Sequence, residues 1–156
     1  EYIVEKRRWL CSEIESGTAI VTHNFSLEYV ENVISKARFE EYFMREYYQK
    51  RTLIGIQRDD FRVSVSYPKR KSIDVHVYAS RGEQRLALFW LIVNQLGIYH
   101  RITKQKPLVI LDDIFSELDI KNREVVTKVI SEYQTIITTT EKDDTLVDFK
   151  KSIIAL

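Results

Sequence analysis

Apolar and polar residues follow two different spacings along the first half of this 156-residue chain. At the N-terminal end, apolar side chains recur at helical intervals with charges between them, which predicts helices over residues 1–16 and about 27–50. Beyond residue 51, the stretches 52–56, 61–67 and 73–78 are typical of strands, and the last two alternate apolar with polar positions. The pattern therefore changes from helix to sheet near residue 51.

The C-terminal half shows a further pattern, in which aliphatic runs alternate with helical stretches. Residues 82–99 are apolar nearly all round at helical spacing, which indicates a central helix. The aliphatic run 108–111, which suits a buried strand, is followed by an amphipathic helix over residues 120–132 and a second aliphatic run over 134–138. A strand, a helix and a strand at this spacing predict a crossover between two parallel strands.

The predicted fold class is α/β, with a helical segment over residues 1–50 and a subdomain with parallel strands over residues 51–156. The net charge of +1 gives no overall basic field, and one cysteine, Cys11, excludes an internal disulfide framework and fits a reducing, cytoplasmic location. No apolar run approaches the ~20 residues of a membrane span, so we expect no membrane partner. The first residue is glutamate rather than methionine, from which we expect a piece of a longer protein.

Two adjacent carboxylates, Asp112 and Asp113, follow the first aliphatic run directly. In open α/β sheets, ligands bind beyond the carboxyl ends of the strands. Neighbouring strand residues point to opposite faces, so one acid could hold Mg²⁺ while the other orients a water. The alternative is that both acids simply open a solvated loop, and the pair alone favours that alternative.

The residues at the start of the predicted central helix have two interpretations. Ser80 and Glu83 have the spacing of a capping box, which satisfies free backbone N–H groups without any further function. The same N–H groups and the helix dipole also favour a phosphate, which Gly82 would allow close to the backbone. Arg85 is a candidate phosphate contact or a surface ion pair. The two interpretations are compatible.

Two loop clusters of cations are candidate DNA contacts. They are Lys69, Arg70 and Lys71 in a predicted hairpin turn, and Arg101 and Lys104 ahead of the acidic strand. Both could contact phosphates, which would make affinity fall steeply with salt. Since cations on solvated turns are common and the net charge is near zero, the solvated alternative is favoured.

Taken together, several ordered motifs resemble the heads of ABC/SMC-class ATPases. The stretch 80–85 resembles the signature motif, and residues 108–113 with the following residues 116–119 resemble the acidic strand and D-loop. Residues 55–60 and 134–140 match further segments at compatible spacings. Within that class the chain resembles the C-terminal part of the RecF family of bacterial recombination mediators. The implied fold is the C-terminal lobe of a P-loop ATPase head, with residues 1–50 as a remnant of its arm or second lobe.

The resemblance implies roles for individual residues around ATP and Mg²⁺. It places the signature on the γ-phosphate of ATP held by the opposite protomer of a head-to-head dimer, through Ser80, Gly82 and Gln84. Asp112 would act on Mg²⁺ through water, and Asp113 would be the catalytic carboxylate that orients the attacking water. The D-loop that crosses the dimer interface would comprise Ser116, Glu117, Leu118 and Asp119. The switch region would comprise Thr138 and Thr139, with Thr140 beside them.

Two departures from the family pattern change these expectations. Ile56 and Gln57 stand where family members commonly have proline and histidine. No glycine of the chain is followed by lysine, so the Gly-Lys-Ser/Thr of the P-loop does not occur in this sequence. We therefore expect the isolated chain to bind ATP weakly or not at all, and not to hydrolyse it.

The resemblance implies a part of an ATP-dependent DNA-binding dimer that acts in recombinational repair. Its partners would be single-stranded or gapped duplex DNA, a second protomer and other recombination mediators. Two alternatives stay open: the head of a different SMC-like ATPase, and a non-catalytic binding module on the same fold. A P-loop encoded upstream of Glu1 would separate the two ATPase hypotheses from the third.

Overall fold

A computed structural model of the chain describes residues 1–18, 20, 23–69, 71–116 and 118–139. Within them, the chain forms helices and strands in the following order: α1 Tyr2–Glu15, β1 Asn24–Val30, α2 Lys36–Gln49, a 3₁₀ turn Ile56–Arg58, β2 Asp60–Ser66, β3 Ile73–Asp74, α3 Val75–Tyr78, α4 Arg81–Thr103, β4 Val109–Asp112, α5 Ile120–Ile130 and β5 Thr135–Thr138.

The first sheet is antiparallel, with the strand order β1-β2-β3. Phe25 of β1 lies opposite Val65 of β2, and Leu27 lies opposite Val63. Phe25, Leu27 and Val65 are buried, so alternate residues of both strands face the core. The hairpin between β2 and β3 confirms the predicted turn at residues 66–72.

The predicted helix over residues 27–50 is wrong in its first part. Residues 24–30 form β1, and the helix begins only at Lys36, after the N-cap Ser35, whose hydroxyl accepts a hydrogen bond from Arg38 N at 3.3 Å. Phe25 and Leu27 lie two residues apart, which suits one face of a strand, and β2 supplies the partner that local spacing could not reveal.

Two predicted strands of the middle segment are also corrected. Residues 52–56 form a loop rather than a strand, because Gly55 has a φ of 122° and a 3₁₀ turn follows at once. Only the first two residues of the 73–78 stretch pair as β3; the rest form the helical turn α3, which Asp74 caps by accepting a hydrogen bond from His76 N at 2.9 Å.

Helix α4 packs its buried side chains against both α1 and the first sheet. Trp90 lies 5.7 Å from the ring of Phe25, and its indole N–H donates to the carbonyl of Thr18 at 3.1 Å. Its opposite face is open in the part of the chain described, since Leu88 is 56% exposed. The helix is therefore central to the core, as predicted, but among the described residues one of its faces is exposed.

The second sheet pairs β4 with β5 in parallel, with Leu111 opposite Ile137, and α5 connects them. This confirms the predicted parallel strands and crossover helix. Val109 and Leu111 are buried, whereas Ile110 on the other face is 67% exposed. Within the described residues, the predicted strand is therefore buried on one face and exposed on the other.

A single hydrophobic core joins residues from both sides of position 50. Its members include Ile14, Phe25, Leu27, Val65, Leu86, Phe89, Trp90, Val109, Leu111, Phe115 and Val126. The proposed boundary between residues 1–50 and 51–156 therefore crosses a shared core. Among the described residues, no helix is both long and apolar enough to cross a membrane.

Candidate functional site

The start of α4 carries the predicted capping box. Ser80 Oγ accepts a hydrogen bond from Glu83 N at 3.3 Å, and Glu83 Oε2 accepts one from Ser80 N at 2.8 Å. The Ser80 hydroxyl also donates to Glu83 Oε2 at 2.7 Å. The cap therefore gives acceptors to the backbone N–H groups of Ser80 and Glu83, and the proton of the Ser80 hydroxyl is directed at a carboxylate of the same chain.

Glu83 is in turn held by residues far away in the sequence. The Tyr67 hydroxyl donates to Glu83 Oε1, and His23 Nε2 lies 3.8 Å from the same oxygen. Burial alone raises the pKa of the Glu83 carboxyl, but the hydrogen bonds from Tyr67 and Ser80, with His23 nearby, outweigh burial and hold that pKa below its usual range. Glu83 therefore stays ionised and keeps its contact with Ser80.

Gln84 stabilises the turn that leads into the helix. Its amide Nε2 donates to the carbonyls of Val75, His76 and Ala79 at 3.2, 3.3 and 3.4 Å. The side chain thus joins α3 and the residues before Ser80 to the first turn of α4. Gly82 lies in that same turn.

At the end of β4, Asp112 and Asp113 both contact Thr138 of β5. The Thr138 hydroxyl donates to Asp112 Oδ1. The backbone N–H of Asp113 lies 3.1 Å from both the carbonyl oxygen and the hydroxyl oxygen of Thr138. The acidic pair and the first residue of the predicted switch region therefore meet at the carboxyl edge of the parallel sheet. Thr139 follows as an exposed residue.

Asp113 has an unusual backbone and an unsatisfied side-chain atom. Its φ of 46° lies in the left-handed region, which is uncommon for residues other than glycine. Its Oδ1 is buried and has no hydrogen-bond partner among the residues that the structure describes. A buried carboxylate oxygen without a partner is costly, and such groups mark candidate sites of chemistry.

Arg85 connects the helix start to the acidic edge. Its Nη1 donates to the carbonyl oxygen of Asp113 and to Ser116 Oγ, the latter at 2.9 Å. In this structure the Arg85 guanidinium is therefore bound within the chain, by the groups that a phosphate would have to displace. The two motifs, 28 residues apart in sequence, share one surface.

The predicted D-loop leads directly into α5. Ser116 is exposed, whereas Leu118 is buried in the core. Asp119 caps α5 by accepting a hydrogen bond from Asn122 N at 2.8 Å. Glu117 lies outside the described residues. Three of the four predicted D-loop residues thus have separate positions: one on the surface, one in the core and one at a helix start.

The acidic edge has a donor set that fits Mg²⁺ held with a nucleotide. Mg²⁺ keeps several waters and takes one or two carboxylates together with substrate phosphates. Asp112 is exposed and contributes one carboxylate, beside the Thr138 hydroxyl. Among the described residues, no cluster of three or more histidine, cysteine or acidic side chains could enclose a metal ion. The residues therefore suit a metal shared with a nucleotide rather than an all-protein metal site.

The two cationic clusters lie at opposite ends of α4. The hydrogen bond between Tyr67 and Glu83 brings the hairpin turn with Lys69 and Lys71 close to the start of α4. Arg101 and Lys104 lie at the other end of the helix. The 18 residues from position 83 to position 101 correspond to about 27 Å of helix. Arg101 forms an ion pair with Glu13, and Lys104 adopts a left-handed C-cap with a φ of 60°. Arg70 lies outside the described residues. The predicted cations therefore do not form one patch.

A buried polar network fixes the loop over residues 55–60. The Asp59 side chain is 1% exposed and accepts hydrogen bonds from the Tyr29 hydroxyl, from Asn32 N at 2.8 Å and from Arg7 at 2.9 Å. Burial alone raises the pKa of the Asp59 carboxyl, but these donors hold it below its usual range. The loop is therefore tied to α1 and β1.

Sequence patterns did not reveal the residues that support the site. His23 and Tyr67 lie 60 and 16 positions from Glu83, and no spacing links them to it. Arg85 was a candidate only for phosphate or ion pairing, since its contact with Asp113 depends on tertiary packing. The only local sequence signal for this site was the capping box, in which Glu83 stands three residues after Ser80.

Curated relatives are RecF proteins. The chain is 32% identical over 163 residues to the DNA replication and repair protein RecF of Clostridium botulinum (strain Alaska E43 / Type E3). That alignment covers 92% of this chain and 43% of the relative. It is 40% identical over 101 residues to RecF of the Eklund 17B strain, over 65% of this chain and 27% of the relative. RecF of Thermoanaerobacter sp. (strain X514) is 36% identical over 60% of this chain and 24% of the relative. The chain thus spans less than half the length of these relatives. No protein-family model matches the chain.

Two solved structures share the fold. One, described as the recombination mediator protein RecF-ATPrS in the RecFOR pathway, has a TM-score of 0.60 and 24% identity, and covers 88% of this chain and 40% of its own. The other, from work on ATP-driven dimerization and DNA stimulated activation of SMC ATPases, has a TM-score of 0.55 and 15% identity, over 94% of this chain and 76% of its own. Both have the α/β fold that the sequence predicts.

Proposed function

Since this chain is homologous to part of the RecF proteins, we propose that it supplies the signature, acidic strand and D-loop of a RecF-type, ATP-dependent DNA replication and repair protein. One observation carries the proposal: the helix start at Ser80 and the acidic edge at Asp113 lie on one surface, joined by Arg85. An ordinary capped helix requires no such connection.

The proposed role of the helix start is to bind the γ-phosphate of ATP held by a second protomer. Ser80 and Gly82 lie at the N-terminal end of a 23-residue helix, where free N–H groups and the dipole favour an anion. The Ser80 hydroxyl, which donates to Glu83 in this structure, would have to turn from that carboxylate toward the phosphate. Gln84 supports the turn rather than the phosphate, as its contacts with three carbonyls suggest.

The proposed role of the acidic edge is to serve the nucleotide of its own protomer. Mg²⁺, when bound with ATP, would neutralise developing charge on the phosphates. Asp112 would hold that ion through water, with its orientation set by Thr138. Asp113 would orient the attacking water, and its buried Oδ1, which has no hydrogen-bond partner within the described part of the chain, supports that role.

DNA is proposed as the partner of the assembled dimer, in single-stranded or gapped duplex form and together with other recombination mediators. The similarity to DNA replication and repair proteins of the RecF family supports DNA replication and repair as the process. Lys69 and Lys71 at one end of α4 and Lys104 at the other would contact separate stretches of backbone. The proposed location is the bacterial cytoplasm, where DNA is replicated and repaired.

Nucleotide binding within one protomer requires a P-loop, and its Gly-Lys-Ser/Thr pattern does not occur among the four glycines of this sequence. We therefore propose that the chain supplies the signature and the acidic edge of the composite ATP sites, but not the P-loop that grips the phosphates. On its own it would bind ATP weakly and hydrolyse none.

The Asp113→Asn variant of the full-length protein tests the catalytic assignment. It should bind ATP and dimerise, but hydrolyse ATP at least about a hundredfold more slowly, so that the ATP-bound dimer persists. Hydrolysis is measured by phosphate release, and dimer lifetime by size-exclusion chromatography after ATP is removed. Unchanged phosphate release would refute the role of Asp113.

A different SMC-like ATPase head is the second candidate, because the SMC ATPase neighbour shares the fold over 94% of this chain. The coding sequence upstream of Glu1 separates the two candidates. A P-loop followed by a long coiled-coil arm would favour the SMC-like alternative, and a P-loop with short helices would favour RecF. If no P-loop is encoded, a non-catalytic binding module becomes the better explanation.

A further inference from the structure

Arg85 lies one turn inside the helix whose start is the proposed signature, yet its guanidinium points to the other motif. Nη1 donates both to the carbonyl oxygen of Asp113 and to Ser116 Oγ at 2.9 Å. Ser116 Oγ also donates to that same carbonyl at 3.2 Å, and Ser116 N approaches it at 3.5 Å. The Arg85 guanidinium, the Ser116 hydroxyl and the Ser116 N–H therefore all donate to the carbonyl oxygen of Asp113, and the first two also bind each other.

The peptide groups on the two sides of Asp113 are held by different elements. Its N–H is fixed by Thr138 of β5 at 3.1 Å, and its carbonyl is fixed by Arg85 of α4 and by Ser116. These contacts stabilise a φ of 46°, a conformation that is uncommon for residues other than glycine. Since the side chain of Asp113 moves with its backbone, the same contacts determine where its carboxylate points.

We propose that Arg85 is a positioning residue that couples the two ATP sites of the dimer, by setting the backbone of Asp113 according to the position of the signature helix. This rests on the proposed function, in which Ser80 and Gly82 contact the partner's nucleotide and Asp113 serves its own. A movement of α4 toward the partner's phosphate then shifts the guanidinium, and the guanidinium shifts Asp113 and Ser116.

Arginine suits this position better than lysine does. The guanidinium is planar and presents several N–H donors in a fixed geometry, so it can hold a carbonyl and a hydroxyl together. A lysine ammonium carries its three donors on one rotatable nitrogen at the end of a flexible stem, and would hold these two acceptors less rigidly. The arrangement therefore predicts a difference between lysine and arginine at position 85 that a simple charge requirement would not produce.

The test uses the full-length protein with Arg85→Ala, Arg85→Lys and Ser116→Ala. Phosphate release is measured against ATP concentration, and dimer formation is measured by sedimentation velocity with ATP. Arg85→Ala should lower kcat by about tenfold or more while KM and the dimer dissociation constant stay within about twofold, because ground-state binding is retained. Arg85→Lys should restore only part of the loss, and Ser116→Ala should show a smaller loss of the same kind.

Arg62→Ala is the matched control, since it removes a guanidinium with two ion pairs, to Glu28 at 3.1 Å and Asp74 at 3.3 Å, outside the proposed site. Its kcat should be unchanged. A wild-type kcat in Arg85→Ala, or full rescue by lysine, would overturn the coupling role. If Arg85→Ala does not fold, an unchanged kcat in Ser116→Ala overturns it. Should the wild-type protein neither dimerise with ATP nor hydrolyse it, the proposed function itself fails, which is a distinct result.

Discussion

Ser80 and Glu83 bind each other through three hydrogen bonds, with Ser80 Oγ both accepting from Glu83 N at 3.3 Å and donating to Glu83 Oε2 at 2.7 Å. The pair closes the first turn of the longest helix in the part of the chain that is described. It also links that turn to the first sheet, because Tyr67 donates to the same carboxylate. A local capping motif is therefore also a tertiary contact.

Glu83→Ala should destabilise the protein by about 1–3 kcal/mol, because it removes half of the capping box and the hydrogen bond between Tyr67 and Glu83. Urea unfolding followed by circular dichroism measures the change, with a lower midpoint expected. Glu124→Ala on the exposed face of α5 is the control and should stay within about 0.5 kcal/mol of wild type. Equal midpoints for the two variants would show that Glu83 has no structural role.

Asp59→Asn should change how the free energy of unfolding depends on pH. The pKa of Asp59 is lower in the folded than in the unfolded chain, so the stability it contributes is present above its unfolded-state pKa of about 3.9 and is lost as pH falls through the folded pKa. The difference in unfolding free energy between wild type and Asp59→Asn should therefore be largest near neutral pH and shrink on acidification toward about pH 3.

The neighbouring Asp60→Asn is the control for that measurement, because Asp60 is exposed at the start of β2. Its effect should be small across the same pH range. A difference between wild type and Asp59→Asn that does not vary with pH would contradict the buried network of Arg7, Tyr29 and Asp59.

Leu111→Ala and Ile110→Ala, neighbours on β4, should differ sharply. Leu111 is 3% exposed, so its truncation should cost about 2–5 kcal/mol through lost burial and a cavity. Ile110 is 67% exposed, and its truncation should cost less than about 1 kcal/mol. Chemical denaturation of the two variants measures the difference. Comparable losses would show that the face carrying Ile110 is covered.

Local sequence signals predicted the elements whose partners are close in the chain. The capping box at Ser80, the hairpin at residues 66–72 and the crossover through α5 each follow from residues within a short window. The acidic pair was placed correctly at the end of β4 because the aliphatic run ends at Asp112.

The sequence-based predictions were wrong or incomplete where the local structure depends on a residue far away in the chain. Residues 24–30 pair with β2 residues that lie at least thirty positions away, and this overrides an apparent helical spacing. Arg85 gives no sequence signal for its contact with Asp113, because that contact depends on how α4 packs beside β4. The positive φ of Asp113 was equally invisible, since aspartate does not require it.

The most direct test of the proposed composite ATP site is dimerisation of the full-length Ser80→Arg variant, measured by sedimentation velocity with and without ATP. Ser80→Ala is the control, because it removes the cap without adding bulk at the interface. We predict that Ser80→Arg binds ATP as a monomer and does not dimerise, whereas Ser80→Ala dimerises more weakly than wild type. An ATP-dependent dimer of normal affinity in Ser80→Arg would contradict the assignment of Ser80 to the partner's nucleotide.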